Sequence, residues 1–335
     1  MEVAKYSNFR LAAVQAAPIY FNLEASTEKA CELISEAGKK GATIAAFSET
    51  WLPGYPFFAW LQPSTKIASK IVADYLANTV EIPSPVTDRL CDAARKANID
   101  VVIGVAERDQ NTRGTTYCTL LFISNEGKIL GRHRKLKPTD RERTVWGEGD
   151  GSSLEVYERP YARISGLNCW EHNMLLPGYA LINQGTQIHV AAWPATTTCR
   201  HSFLSAAFAS QAAAYVIDVG GLLSLQDIPE EYRELDRPMP GESGIYDPTG
   251  SLIAGPAKGE TILVADGTTE AIFAAKTECD IAGHYSRPDI FRLHINRTPT
   301  RRVIDLQTDG PTTAELAENE DDELVTNTKE KSSDW

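Results

Sequence analysis

The sequence lacks paired cysteines. Its 335 residues include six cysteines, with no CxxC pair and no regular spacing. In a chain of this size, that pattern predicts reduced thiols in a cytoplasmic protein rather than a disulfide framework or a zinc site. The histidines show no ligand spacing either, so a metal site is not expected. The cysteines are Cys31, Cys91, Cys118, Cys169, Cys199 and Cys279.

Long hydrophobic runs are also missing. A membrane span needs about 18 apolar residues, and the nearest run, residues 206–223, is broken by Ser210, Gln211 and Asp218. The N-terminal MEVAKYSNFR has no apolar core of the kind that secretory signals carry. Hydrophobic residues make up 42% of the chain and charged residues 23%. This balance predicts a globular protein with a large core and no membrane partner.

Basic residues are outnumbered by acidic ones, 33 to 45. The formal net charge is −12, and no cluster of Lys and Arg forms a basic stripe, so a nucleic-acid partner is disfavoured. Residues 309–335 hold nine acidic residues and two lysines, which places −7 of the −12 in this segment. We therefore predict one domain over residues 1–308 and an acidic, disordered tail over residues 309–335.

Hydrophobic periodicity divides the chain into short strands interleaved with helices. NEG and PTG turn signals join two pairs of strands as hairpins, so the sheets are not purely parallel. Helices should cover the outer faces of the sheets, which makes the fold class α/β. The predicted strands are residues 10–16, 42–47, 100–106, 116–124, 128–134, 162–168, 187–193, 215–219, 244–247, 251–254 and 261–265; the predicted helices are residues 26–38, 86–97, 174–184 and 202–214.

Glu49 follows a buried strand, at the sheet edge where α/β proteins place their binding clefts. An ordinary loop carboxylate would sit in polar surroundings, but Glu49 opens the aromatic-rich stretch ETWLPGYPFFAW. Aromatic side chains in a loop stiffened by proline often line a pocket. Tyr55 and Trp60 are therefore candidate substrate contacts, and partial burial should raise the pKa of Glu49 toward that of a general base.

Two lysines end the second strand of the first hairpin, in GRHRKLKPT. Lys135 and Lys137 share a face of the strand, so the strand pattern does not choose between them. A lysine in a cleft beside a carboxylate can stabilise a developing anion. The next loop, DRERTVWGEGDG, supplies Glu142 and lacks the GK[ST] ending of a phosphate loop.

Cys169 lies between a strand and a helix, in GLNCWEH. A strand–turn–helix of this kind presents a nucleophile at a sharp turn and aims the next backbone N–H, that of Trp170, at developing charge. Taken alone, such a cysteine is more often a core thiol. Trp170 and Trp193, near strand ends, are further candidates for an apolar substrate wall, although Trp60 and Trp193 could equally be core residues.

These motifs together resemble the nitrilase (carbon–nitrogen hydrolase) superfamily, over residues 9–296. The resemblance assigns a catalytic triad of Glu49 in FSET, Lys135 in RKLKPT and Cys169 in NCWEH, with Glu142 as a second glutamate. The family lysine stands three residues before a proline, which selects Lys135 over Lys137. One departure is Ser48, where the family usually has proline.

The resemblance implies a four-layer α-β-β-α sandwich and a homo-oligomer built through helical faces, from a dimer up to a spiral or filament. It also implies that the C-terminal part of the domain, HYSRPDIFRLHINR, is an assembly segment ordered at an interface. VWGEGDG and the Trp-Glu pair after the cysteine are typical of true nitrilases, which convert a nitrile to a carboxylic acid and ammonia without a metal or organic cofactor. Alternatives with the same triad are an aliphatic amidase or a nitrile- or cyanide-hydrating enzyme. A catalytically silent binding protein on the same scaffold is a further alternative.

Overall fold

The computed structural model describes residues 6–60, 65–194, 200–235 and 239–303. Every helix and strand named here lies in the compact unit Met1–Arg297. The strands are β1 (Asn8–Gln15), β2 (Ile44–Ala46), β3 (Asp100–Arg108), β4 (Thr116–Ile123), β5 (Ile129–Arg134), β6 (Tyr157–Glu158), β7 (Arg163–Asn168), β8 (Ile188–Trp193), β9 (Tyr215–Gly220), β10 (Leu222–Leu223), β11 (Met239–Pro240), β12 (Gly244–Tyr246), β13 (Leu252–Ala254) and β14 (Thr261–Thr268). The α-helices are α1 (Leu23–Lys39), α2 (Thr65–Ala77), α3 (Pro85–Ala97), α4 (Leu175–Asn183), α5 (Arg200–Ala212) and α6 (Thr269–Glu278).

Two six-stranded mixed sheets form the body. The first has the strand order β14-β1-β2-β3-β4-β5 and the second β13-β12-β9-β8-β7-β6. At the centre of each sheet three strands run parallel: β1, β2 and β3 in the first, and β7, β8 and β9 in the second. Antiparallel strands flank them on both sides. The predicted mixture of crossovers and hairpins is confirmed.

The packing of the core shows that the elements form four layers. Along β1, Leu11 and Ala13 pack with residues of the second sheet, while Ala12 and Val14 pack with α1 and α3. Both faces of the strand are buried, which is why its sequence is a continuous apolar run rather than an alternating one. On the other side, β8 and β9 pack against α5. The order helix, sheet, sheet, helix confirms the predicted α/β sandwich.

All the predicted strands and helices are present, with ends shifted by no more than three residues. Sequence reasoning missed α2, although Ile67, Ile71 and Tyr75 stand at helical spacing and the last two are buried. It also missed α6. Three further strands that it missed have two residues each and are too short to produce a periodic signal. None of the helices in the described ranges is long and apolar enough to cross a membrane.

The predicted tail, residues 309–335, lies outside the described residues, so the domain boundaries stay a prediction. Cys199 also lies outside them. The described cysteines, Cys31, Cys91, Cys118, Cys169 and Cys279, form no disulfide with one another.

Candidate active site

Three strand ends bring the predicted triad together. Glu49 follows β2, Lys135 follows β5 and Cys169 follows β7. All three side chains are buried, and Lys135 Nζ donates a hydrogen bond to Glu49 Oε1 at 2.7 Å. A carboxylate oxygen of Glu49, one of Glu142 and Cys169 Sγ all lie within 4.8 Å of one another. Residues far apart in sequence therefore form one compact site between the two sheets' strand ends.

Close packing of backbone holds Glu49 in place. The chain after β2 crosses directly over β3, where a Cβ on Gly104 would lie 2.2 Å from Ser48 O and 2.4 Å from Thr50 N. Glycine at 104 is therefore required for this approach. Glu49 N also donates to Trp193 O at 3.3 Å, which links the loop to the end of β8 in the second sheet.

Lys135 lies between two carboxylates. Its Nζ donates to Glu142 Oε2 at 2.7 Å as well as to Glu49. Glu142, on a 3₁₀ turn (Asp140–Thr144), also accepts from Thr139 N at 2.7 Å and from the Tyr55 hydroxyl at 2.7 Å. These contacts hold Glu142 in one orientation. The single buried ammonium group of Lys135 thus forms ion pairs with both carboxylates.

Lys137 lies outside this network. Its side chain is 48% exposed and pairs with Glu148 on the surface. The strand pattern left the two lysines undecided, and the structure places Lys135 alone of this pair against the carboxylates.

Burial sets the protonation of the site. It raises the pKa of Glu49 to about 7, with Lys135 opposing the rise and Glu142 adding to it. Burial likewise raises the pKa of the Cys169 thiol well above its usual range, against the opposing field of Lys135. The Lys135 pKa is raised well above its usual range because the nearby acidic groups outweigh burial. Near neutral pH the site therefore holds a neutral thiol beside a carboxylate that can accept its proton.

Cys169 occupies a sharp turn, as predicted for a nucleophile. Its φ is +50°, a left-handed value that non-glycine residues seldom adopt, and it opens a 3₁₀ turn (Cys169–Asn173) ahead of α4. A hydrogen bond from the backbone N–H of Trp170 lowers the pKa of its thiol, in opposition to burial. That N–H is thus directed toward the sulfur, where charge would develop.

Glu171 connects the backbones beside two residues of the predicted triad. Its carboxylate accepts from Asn168 N, next to Cys169, and from Leu136 N, next to Lys135, both at 2.8 Å. It also pairs with buried His133 at 3.0 Å. This geometry gives Glu171 a supporting role, because its carboxylate binds the backbone beside Lys135 and Cys169.

Cys118 is a neighbour that sequence reasoning did not select. Its thiol donates to Glu49 Oε1 at 3.2 Å, and its carbonyl accepts from Lys135 N at 2.8 Å. The hairpin register offered a signal, because β4 pairs Thr119 with Arg134 and so places Cys118 beside Lys135.

The four predicted substrate contacts occupy different environments. Tyr55, besides donating to Glu142, accepts from Trp60 Nε1 at 3.0 Å, so both belong to the hydrogen-bonded network. Trp170 is 38% exposed. Trp193 is buried and its ring stacks on His172 at 4.9 Å between centroids. Their contact with a substrate stays a prediction.

Glu49, Glu142 and Cys169 are also a set that could hold a metal ion. The ammonium of Lys135, 2.7 Å from each carboxylate, already occupies the position of a cation between them. A metal ion would have to compete with it.

The carbon–nitrogen hydrolase family matches residues 10–276 of the chain. A protein named Nitrilase 2, from an unknown prokaryotic organism, is 52% identical over 307 residues, which cover 90% of this chain and 97% of that one. An aliphatic nitrilase of Rhodococcus rhodochrous is 37% identical over 319 residues, 90% of this chain and 86% of that one. A Saccharomyces cerevisiae structure, a member of branch 10 of the nitrilase superfamily, gives a TM-score of 0.67 at 19% identity and covers 83% of this chain and 97% of that one.

The chain therefore belongs to the carbon–nitrogen hydrolase family. Two similar relatives carry the name nitrilase at 52% and 37% identity, so the resemblance inferred from the three motifs is confirmed, and the protein is an enzyme of this family rather than a silent binding protein.

Proposed function

We propose that the protein hydrolyses an organic nitrile to the carboxylic acid and ammonia. The observation that carries this proposal is the buried contact of Lys135 with both Glu49 and Glu142, next to the Cys169 thiol. The relatives named nitrilase support it. A cytoplasmic location belongs to the same proposal and is supported by the free thiols.

Attack by Cys169 begins the reaction. Glu49 takes the thiol proton as sulfur adds to the nitrile carbon, and the nitrogen receives that proton, which leaves a covalent thioimidate. The Lys135 ammonium and the Trp170 N–H stabilise the charge that builds on nitrogen. Because burial keeps the thiol protonated at rest, proton transfer accompanies the attack rather than preceding it.

Two waters complete the reaction. Glu49 or Glu142 takes a proton from the first water as its oxygen bonds to the thioimidate carbon, and passes that proton to the nitrogen. The remaining hydroxyl proton is transferred to nitrogen as the carbon–nitrogen bond breaks, so that ammonia leaves and a carbonyl forms. The thioester that remains is hydrolysed by the second water, which frees the acid and returns the proton to sulfur. If the carbon–sulfur bond breaks first, the product is an amide.

Products distinguish this function from its alternatives. Wild-type enzyme given one aromatic and one short aliphatic nitrile should release equal amounts of acid and ammonia. An amide product would indicate a nitrile-hydrating enzyme, formamide from cyanide would indicate a cyanide-hydrating one, and turnover of amides alone would indicate an amidase. Alanine variants of Tyr55, Trp60, Trp170 and Trp193, assayed on the same two nitriles, test whether these residues contact the substrate: a contact residue should shift the ratio of the two kcat/KM values.

Two variants test the assigned roles. Cys169→Ala should abolish turnover, and mass spectrometry with a slow substrate should find the adduct on the Cys169 peptide; an adduct on Cys118 or Cys199 would contradict the assignment.

Lys135→Ala should lower kcat by roughly 10²–10³-fold, the effect of removing one electrostatic donor. Lys137→Ala is the matched control and should stay within a few-fold of wild type. Circular dichroism checks that each variant folds.

We also propose that the protein forms a homo-oligomer through the outer face of α4 and α5, with dimers as the building block of a spiral or filament. The support is exposed apolar surface: Leu175, Leu176 and Phe203 are 76%, 63% and 72% exposed. Exposed clusters of this kind often mark protein interfaces.

A further inference from the structure

A chain of hydrogen bonds runs from the second sheet to the carbonyl of Cys169. His172 Nδ1 lies 2.7 Å from Cys169 O, and His172 Nε2 lies 3.0 Å from His189 Nε2. His189 Nδ1 lies 2.8 Å from Ser165 Oγ, which lies 2.7 Å from Thr186 Oγ1. All five residues lie in β7, β8 or the turns that follow and precede them.

For neutral imidazoles, the Cys169 carbonyl determines the tautomer of both rings in this hydrogen-bond chain. A carbonyl only accepts, so His172 Nδ1 carries hydrogen and, in a neutral ring, His172 Nε2 is an acceptor. His189 Nε2 must then donate, which makes His189 Nδ1 an acceptor for the Ser165 hydroxyl. Thr186 Oγ1 then donates to Ser165 Oγ at 2.7 Å rather than to Ile188 O at 3.3 Å. For two neutral imidazoles, these are the only tautomers that satisfy the contacts of His172 and His189.

The surroundings favour this neutral pair. Burial lowers the pKa of His172 and outweighs the hydrogen bond to the Cys169 carbonyl and the charges of Glu171 and Asp218, all of which raise it. Burial also lowers the pKa of His189 well below its usual range, with His172 and His133 acting in the same direction. Ring stacking fixes the planes, because His189 lies 3.9 Å from the Phe208 ring centroid.

The Cys169 carbonyl, where this hydrogen-bond chain ends, belongs to the peptide group whose N–H, that of Trp170, stabilises developing charge in the proposed mechanism. Cys169 C=O and Trp170 N–H are parts of one planar unit and point in opposite directions. Holding the carbonyl therefore orients the N–H that faces the Cys169 sulfur. The left-handed backbone of Cys169 is unfavourable for a residue with a side chain and persists only when its surroundings hold it.

We infer that His172 and His189 are positioning residues, which act as a neutral pair to orient the Cys169–Trp170 peptide so that its N–H stabilises charge at the reacting sulfur and nitrogen. The inference rests on the proposed function for its catalytic consequence, but its geometric part concerns the thiol itself. Alkylation of Cys169 by iodoacetamide reports on the thiol without any nitrile.

The test compares substitutions that keep or remove single contacts. His172→Asn retains an N–H near the Nδ1 position, whereas His172→Phe retains the ring and loses the donor. We expect His172→Phe to slow alkylation of Cys169, followed by mass spectrometry, at least tenfold, and to lower kcat/KM on a nitrile by roughly 10²-fold. His172→Asn should remain within about fivefold of wild type in both assays, because it preserves the hydrogen bond.

A second pair serves if His172→Phe does not fold. His189→Gln keeps an N–H directed at His172, and His189→Leu does not; alkylation should slow several-fold in His189→Leu alone. Equal alkylation rates within either pair of folded variants would overturn the inference. If the wild-type enzyme is inactive on nitriles but the variants of a pair still differ in alkylation rate, the proposed function is contradicted and the positioning role is supported.

Discussion

The two oxygens of Glu49 have different surroundings. Oε1 accepts hydrogen bonds from Lys135 and from the Cys118 thiol. Oε2 is buried and has no hydrogen-bond partner within the described ranges of the chain. An unpaired buried oxygen is unfavourable in a resting carboxylate, but it is the atom free to accept a proton from Cys169 or from water. The contacts to Oε1 therefore decide which oxygen acts as the base.

Cys118→Ala should move the acid limb of the pH–rate profile. The thiol donates to the ionised form of Glu49, so it lowers the pKa of that carboxyl, and its loss should raise the pKa above the present value of about 7. Since the proposed mechanism needs ionised Glu49, kcat/KM should fall as pH falls through this pKa, and the fall should begin at higher pH in Cys118→Ala.

Serine at this position supplies the control, because Cys118→Ser restores a donor of similar size. Its acid limb should return toward that of wild type. If Cys118→Ala lowers the thermal midpoint and leaves the acid limb unchanged, the thiol acts through packing alone.

At the scale of elements, one carboxylate aligns the ends of β5 and β7. Glu171 accepts from a backbone N–H beyond each strand and pairs with His133 on β5. The two strands belong to different sheets, so the contact fixes the distance between Lys135 and Cys169 across the sandwich.

Glu171→Gln should destabilise the fold by about 3 kcal/mol, because it breaks a buried pair and leaves a buried N–H without its acceptor. Chemical denaturation measures this free energy of unfolding. The surface variant Glu148→Gln is the control and should lie within about 0.5 kcal/mol of wild type. A similar loss in both variants would mean that Glu171 does not connect the strands.

The destabilisation caused by Glu171→Gln should depend on pH through the pKa values of both Glu171 and His133. The Glu171 pKa is lowered from 4.5, chiefly by the His133 charge against burial, so its contribution is present above that value and is lost as pH falls through the lowered pKa. The His133 pKa is raised from 6.5 by Glu171, so its contribution is complete below 6.5 and is lost as pH rises through the raised pKa. Glu171→Gln should therefore cost most between pH 4.5 and 6.5.

Sequence patterns predicted the elements better than the contacts between them. Apolar periodicity located β1, β3 and the first hairpin because their burial is a local property of the pattern. The family motifs placed Glu49, Lys135 and Cys169 at strand ends. Cys118, however, reaches Glu49 through the pairing of β4 with two neighbours, and His189 reaches Cys169 through stacking and a second histidine. Such contacts depend on register between distant segments, which a single sequence does not display.

At the scale of the whole molecule, the exposed apolar residues of α4 and α5 need a partner surface. Leu175 and Leu176 begin α4 and Phe203 lies in the first turn of α5, so each helix exposes apolar side chains near its N-terminal end. Burial of one such side chain is worth about 1.5–3 kcal/mol. A symmetric dimer would bury each of them twice.

Leu175→Glu and Phe203→Glu should each weaken association, because each removes apolar contact and places a charge without a partner in the interface. A loss of about 3 kcal/mol in association free energy corresponds to a dissociation constant roughly 100-fold larger. Sedimentation velocity over a range of concentrations would detect this as smaller species. Val72→Glu is the matched control, since Val72 is an exposed apolar residue on α2. Wild-type sedimentation of both variants would show that this helical face is not the interface, and dissociation of Val72→Glu would move the interface to α2. Because the pair His172–His189 lies beneath α4 and α5, activity measured on the same dilution series would also show whether the assembled state holds the Cys169 turn in place.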